Sequence, residues 1–268
     1  MDDNLKKIEL EDLKKIQIKI LDVVANFCQK NNIKYWIDSG TLLGAIRHSG
    51  YIPWDDDIDV GMLREDFDKF LKLFNTENSQ YKAYSIENKD DFYYTYCKVL
   101  DTNTILYEPD KNGNKLSVNI DVFVYDNAPD DDKKIQKMFK IRDKYRYYHE
   151  VLNCNLDEKT EIKKLIIRFA RIIFKRNYFM KKMVVNEKKY MNKETLRVGN
   201  FSGYFKAYCE KSVFNDFIDV TFEGKKYKAP IGYDKWLRAF YNDYMKLPPK
   251  EKRVSHHRFE AYYGNKYK

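Results

Sequence analysis

The chain has 268 residues, 43% hydrophobic and 34% charged, enough apolar side chains for a packed core and too many for a disordered polymer. Its net charge of +9 points to an anionic partner, whether nucleotide phosphates, a phosphate-rich polymer, an anionic membrane surface or nucleic acid. The four dispersed cysteines, Cys28, Cys97, Cys154 and Cys209, make no Cys-x-x-Cys pair, which argues against a zinc knuckle and for a reduced, cytoplasmic protein.

The start of the chain is polar and lacks a signal peptide's apolar stretch, and no run approaches the roughly 18 apolar residues of a membrane span. Leu10, Leu13, Ile16, Ile20, Val24 and Phe27 recur at three- and four-residue steps and predict an amphipathic helix over 9–30. Ile33 to Ile37 reads as a first strand. Gly40 then allows a tight turn and leaves room for a phosphate, although it also fits an ordinary turn glycine. Thr41 to Arg47 suits a short helix whose first amides could face an anion. Arg47 is either a solvated arginine or a phosphate clamp, and Trp54 either packs in the core or stacks on a base.

Asp57-Ile58-Asp59-Val60 carries the strongest chemical signal. In a strand, residues two apart share a face, so Asp57 and Asp59 would stand side by side while Ile58 and Val60 turn into a core. Paired carboxylates repel unless a cation joins them, and hard oxygen donors suit Mg²⁺ or Mn²⁺. A solvated acidic loop competes with this reading, as does a calcium loop counted from Asp55, which would need glycine where Val60 stands.

Arg64 to Phe74 predicts a second amphipathic helix, and 81–86 and 94–100 predict strands. Lys98, on the second of these, must reach solvent or a charged ligand. Asn119 to Val124 predicts another strand in which Asp121 sits among apolar neighbours. A lone carboxylate there is costly to bury and needs either a metal shared with Asp57 and Asp59 or a basic partner. A helix follows over 130–152, then a basic helix over 161–180. Lys164, Arg168, Arg171 and Lys175 form one stripe on it, and the apolar residues lie largely away from them. That helix is either a core helix with a wet basic face or a helix lying on an anionic membrane. Val220 to Pro230 predicts a hairpin turning at Glu223-Gly224, and Trp236 to Tyr244 a helix with an aromatic face. His256 and His257 are adjacent, which disfavours shared metal ligation and favours contact with substrate phosphate.

Two stretches, Gly40 to His48 and Gly50 to Asp59, resemble the signature of the LicD family, the phosphocholine transferases and their relatives, with fukutin-related proteins as distant cousins. The stretch from Phe222 to His257 is similar to the family's C-terminal signature. The resemblance implies an α/β (α+β) nucleotidyltransferase-like fold, a small mixed sheet elaborated by helices. It also implies one catalytic domain over 1–268 with a basic helical elaboration at about 130–210. Asp57, Asp59 and Asp121 would be the catalytic, metal-holding carboxylates. Gly40, Thr41, Arg47, His48, Trp54, Lys98, His256 and His257 would bind nucleotide or substrate.

The implied reaction is metal-dependent transfer of phosphocholine from CDP-choline to a hydroxyl of a cell-surface glycan or teichoic-acid precursor, expected to be lipid-linked, at the inner face of the membrane. The same fold with CDP-ribitol or CDP-ethanolamine is the nearest alternative. An Asp-x-Asp sugar transferase is a second, although only 56 residues precede Asp57. A non-enzymatic basic protein is a third, and it leaves the three aspartates unexplained. No nucleic-acid reader motif is present.

Overall fold

The computed structural model describes residues 5–108, 114–157, 159–203, 206–255 and 259–264. Helix α1 (Leu10–Lys30) leads into β1 (Trp36–Ile37), α2 (Ser39–His48), β2 (Asp59–Leu63) and α3 (Arg64–Glu77). Strands β3 (Tyr81–Tyr84), β4 (Cys97–Asp101), β5 (Thr104–Glu108), β6 (Asn114–Leu116) and β7 (Asn119–Ala128) follow. Three helices come next, α4 (Asp132–Asn153), α5 (Glu161–Ile173) and α6 (Tyr178–Glu187). The chain ends with β8 (Arg197–Asn200), β9 (Ala207–Glu210), β10 (Phe217–Phe222), β11 (Lys225–Pro230), α7 (Tyr233–Tyr241) and β12 (Glu260–Tyr263).

The main sheet runs in the order β1-β2-β7-β4-β3, with β8 on β7 and β9 on β8. Among the described strands of this sheet, β2 and β7 are the parallel pair. This is the small mixed sheet of the predicted α/β class. β5, β6 and β12 form a second sheet, and β10 and β11 form the predicted hairpin. Glu223 and Gly224 turn that hairpin with φ of 49° and 75°, both left-handed, which favours glycine at the second position.

Alternation along β7 sets the layers. Ile120, Val122 and Val124 are buried on one face, beside Val60 and Met62 of β2, and α1 and α3 cover this layer. The odd-numbered residues Asn119, Asp121 and Phe123 turn to the opposite face. Gly61 lies on that face too. A Cβ there would meet the Trp36 indole at 2.3 Å, so the fully buried Trp36 requires a glycine.

Two expectations are corrected. The first strand is two residues long rather than five. The single helix over 161–180 is two helices, α5 and α6, broken between Ile173 and Tyr178. No glycine or proline marks the break. Instead Arg176 Nε donates to Asn153 Oδ1 (3.0 Å), and the Asn177 amide donates to the Asp90 carbonyl, so tertiary contacts override helix propensity.

The basic stripe on α5 is also divided. Arg171 donates to the carbonyls of Leu152 and Cys154, and Lys164 pairs with Glu161 at 2.7 Å. Ile167 is the buried apolar residue of this helix, whereas Ile162, Leu165, Ile166, Phe169, Ile172 and Ile173 are 57–81% exposed. The apolar face of α5 therefore points outward.

Candidate active site

The parallel register of β2 and β7 sets Asp59 directly beside Asp121, and β4 sets Lys98 on the other side of Asp121. Residues opposite one another in a sheet project to the same face, so strand pairing alone brings these three groups together. Lys98 Nζ lies 2.6 Å from Asp121 Oδ1 and donates to Asn119 Oδ1 at 3.0 Å. Asp57 arrives on the loop before β2, and all four side chains line one cavity of about 190 Å³, together with Ser39, Tyr96 and Glu108.

The site is strongly acidic. Burial first, then Asp57 and Asp121, push the Asp59 carboxyl well above the usual range. Lys98 is the one cation among the described lining residues. Burial pulls its pKa down, but Asp121 and Glu108 more than offset this and hold it above its ordinary value, so it stays charged. Asp55, Asp56 and Asp57 also bring carboxylate oxygens within 4.8 Å of one another on the preceding loop. These hard oxygen donors, of which Asp56 and Asp59 are buried, suit a divalent cation, and among the described residues Asp55, Asp56 and Asp57 are the three carboxylates close enough to one another to share one.

The loop is braced from both ends of the chain. Ser255 Oγ donates to Asp56 Oδ2 at 2.5 Å, and Gln17 Nε2 donates to the Asp56 carbonyl at 2.9 Å. Thr41 holds β2 from the other side, since the Asp59 amide donates to its hydroxyl oxygen at 2.9 Å. Thr41 therefore fixes the position of an acidic residue. The space above Gly40 is filled by Asp55, whose Oδ2 would lie 2.6 Å from an added Cβ.

The remaining candidates are placed as follows. Arg47 donates through Nε to His48 Nε2 and through Nη1 to the Tyr244 carbonyl, and neither Arg47 nor His48 lines the acidic cavity. Trp54 packs against the core under the Arg253 guanidinium, 5.6 Å from its ring centroid. His256 and His257 lie outside the described residues.

Sequence reasoning passed over Asp38, which is fully buried at the end of β1. It accepts hydrogen bonds from Tyr125 Oη (2.5 Å) and Trp236 Nε1 (2.9 Å), while burial raises its pKa. The signal was available: a carboxylate at the end of an apolar run, the same logic that singled out Asp121. Next to it Ser39 has φ of 48°, a left-handed conformation uncommon outside glycine, at the lip of the acidic cavity.

A carboxylate cluster with one lysine, lining a cavity beside a small mixed sheet, suits an enzyme handling phosphates. Residues 32–157 match the family model described as LicD/FKTN/FKRP, nucleotidyltransferase domain. The chain is 32% identical over 269 aligned residues to the lipopolysaccharide cholinephosphotransferase LicD of Haemophilus influenzae, covering 96% of this chain and 99% of that one. It is 44% identical over 54 residues to the human ribitol 5-phosphate transferase FKRP, covering 20% of this chain and 11% of that one. An uncharacterized protein of Rickettsia typhi is 32% identical over 149 residues, 54% of this chain and 44% of its own. The chain belongs to the LicD family, and with it to the phosphotransferases.

Proposed function

We propose that this enzyme transfers phosphocholine from CDP-choline to a hydroxyl of a surface-glycan precursor, with Mg²⁺ or Mn²⁺ held by Asp57, Asp59 and Asp121. The observation that carries this reading is the meeting of those carboxylates and Lys98 in one cavity. Similarity to a lipopolysaccharide cholinephosphotransferase along nearly the whole chain supports phosphocholine as the group transferred and a glycan as the type of acceptor. A bound divalent ion would neutralise diphosphate charge and stabilise the leaving CMP.

The chain's own residues then do the following. Lys98, held charged beside Asp121, contacts donor phosphate oxygens. Asp121 orients the attacking hydroxyl and takes its proton. The hydroxyl oxygen bonds to the distal phosphorus, the bond from that phosphorus to the bridging oxygen breaks, and CMP leaves. Such transfers need alignment and charge neutralisation more than covalent help.

The test is CMP release from CDP-choline, CDP-ethanolamine and CDP-ribitol, with and without divalent ion, over a panel of lipopolysaccharide and teichoic-acid precursors. Preference for CDP-choline with loss of turnover in chelator is expected. Turnover that persists without metal would remove the metal assignment, and preference for CDP-ribitol would favour the chemistry named for the FKRP relatives.

Support for a membrane-borne acceptor comes from α5. Its outward apolar face is flanked by exposed Lys163 on one edge and Arg168 on the other, the pattern of a helix lying in a lipid interface. Among the described residues no helix is long and apolar enough to cross a membrane. Changing Leu165, Phe169 and Ile172 to Ser is expected to abolish sedimentation with vesicles containing anionic lipid without lowering the melting temperature, because these side chains bury little. Unchanged binding would reject the contact.

A further inference from the structure

A second cavity, of about 110 Å³, opens beside the acidic one, and the two meet at Ser39 and Phe123. Its walls are aromatic: Phe123, Tyr125, Trp236, Phe240 and Tyr241. Trp236 and Phe240 stand nearly at right angles (73°, centroids 4.4 Å apart), and Tyr125 meets Trp236 at 67° and 5.5 Å. Rings arranged this way form the corner of a box.

Three polar atoms of those walls are already engaged. Tyr125 Oη and Trp236 Nε1 both donate to Asp38. Asn200 Oδ1, at the edge, accepts from the Ser202 amide, the Ser202 hydroxyl and the Gly203 amide. With these three engaged, the walls offer mainly aromatic ring surface, and the Ser39 and Tyr241 hydroxyls are the further polar groups of the lining. A nucleobase bound there would lose hydrogen bonds along its edge, whereas a quaternary ammonium has no hydrogen bonds to lose. Aromatic faces attract a desolvated cation, and donation from both rings to Asp38 makes those faces more electron-rich. The acidic cavity next door adds negative potential, since its one lysine, Lys98, is paired with Asp121 and the other charged groups of its lining are carboxylates.

We infer that this aromatic box is the subsite for a quaternary ammonium head group, seated while the attached phosphate lies in the acidic cavity. The inference deepens the proposed reaction and rests on it for the identity of the donor. It makes Tyr125, Trp236 and Phe240 the residues that separate a choline donor from an ethanolamine or polyol donor.

The experiment has two parts. With wild-type protein, binding of choline is compared by calorimetry or NMR with binding of 3,3-dimethyl-1-butanol, its uncharged carbon isostere. Choline should bind at least about tenfold more tightly. Equal binding would overturn the inference. With Phe240→Leu, which keeps an apolar side chain but loses the ring, KM for CDP-choline should rise about tenfold relative to that for CDP-ethanolamine, with inhibition by CMP unchanged.

Equal weakening of CMP would assign the box to the base and overturn the inference, as would unchanged donor preference. If this variant does not fold, the isostere comparison decides alone. Absence of turnover with every CDP donor, alongside choline binding that Phe240→Leu weakens, would remove the transferase reading and keep the subsite.

Discussion

Asp59→Asn should cut CMP release by about a thousandfold or more and at the same time make the protein harder to unfold. The first effect follows from taking a charged oxygen ligand out of a centre whose work is electrostatic. The second follows from what surrounds Asp59. Its carboxyl is buried and repelled by Asp57 and Asp121, so the folded state carries a cost that a neutral amide lacks. A gain of about 1–2 kcal/mol is expected in denaturant melts without metal. Divalent metal should raise the melting temperature of the wild type and leave the variant unmoved, because a ligand stabilises only the state that binds it. A destabilised Asp59→Asn, or one that still turns over, would recast Asp59 as a packing residue.

The second large effect lies at the opposite end of β7. Arg64, nearly buried at the start of α3, donates through Nε and Nη2 to the two oxygens of Asp126 at 2.7 Å each, and through Nη1 to Glu87 at 2.8 Å. Glu187, fully buried, has Arg64 Nη2 at 3.9 Å. Burial, with Asp126 and Glu87, pushes the Glu187 carboxyl up to about 8 despite the nearby guanidinium. Arg64→Met removes the cation among four acids, Asp68 (3.2 Å), Glu87, Asp126 and Glu187, and should cost about 3–5 kcal/mol, most of it from charges left buried without their partner. Adding Asp126→Asn should recover much of that loss, since removing both members of a buried pair is far milder than removing one.

The same cluster gives stability a pH dependence. Unfolded, Glu187 loses its proton near 4.5; folded, it keeps it to about pH 8. Between those values the folded state holds the extra proton, so stability is greatest below 4.5 and falls as pH rises through 8. Glu187→Gln should match the wild type at pH 5 and exceed it by about 2–4 kcal/mol at pH 9. Parallel stability curves for the two proteins would show that Glu187 is not the titrating group.

The placing of Asp59 and Asp121 on one face was legible because strand periodicity is a strong constraint, whereas Asp57, expected on the same strand, lies on the loop before it. Asp59 and Asp121 each interrupt an apolar run, and such residues share a face only if the two strands pair in register, which they do. The helix at 10–30 and the turn at Glu223-Gly224 were legible from local signals of the same kind. Direction was harder. Periodicity says which side chains of α5 lie together, not whether that face looks inward, and it looks out. Pairing of Lys98 with Asp121, and the sheet uniting residues 104–116 with 260–263, depend on contacts between distant stretches that leave no local trace.

The brace on the acidic loop has a consequence for how the enzyme comes into being. Asp38 and Asp56 emerge from the ribosome early, but the groups that bond them, Trp236 and Ser255, follow about two hundred residues later. At roughly 5–20 residues per second the loop waits on the order of 10–40 s for closure. Until then Asp56 has the Gln17 bond and Asp38 the Tyr125 bond, and the last two bonds close once residues 236 and 255 have been made.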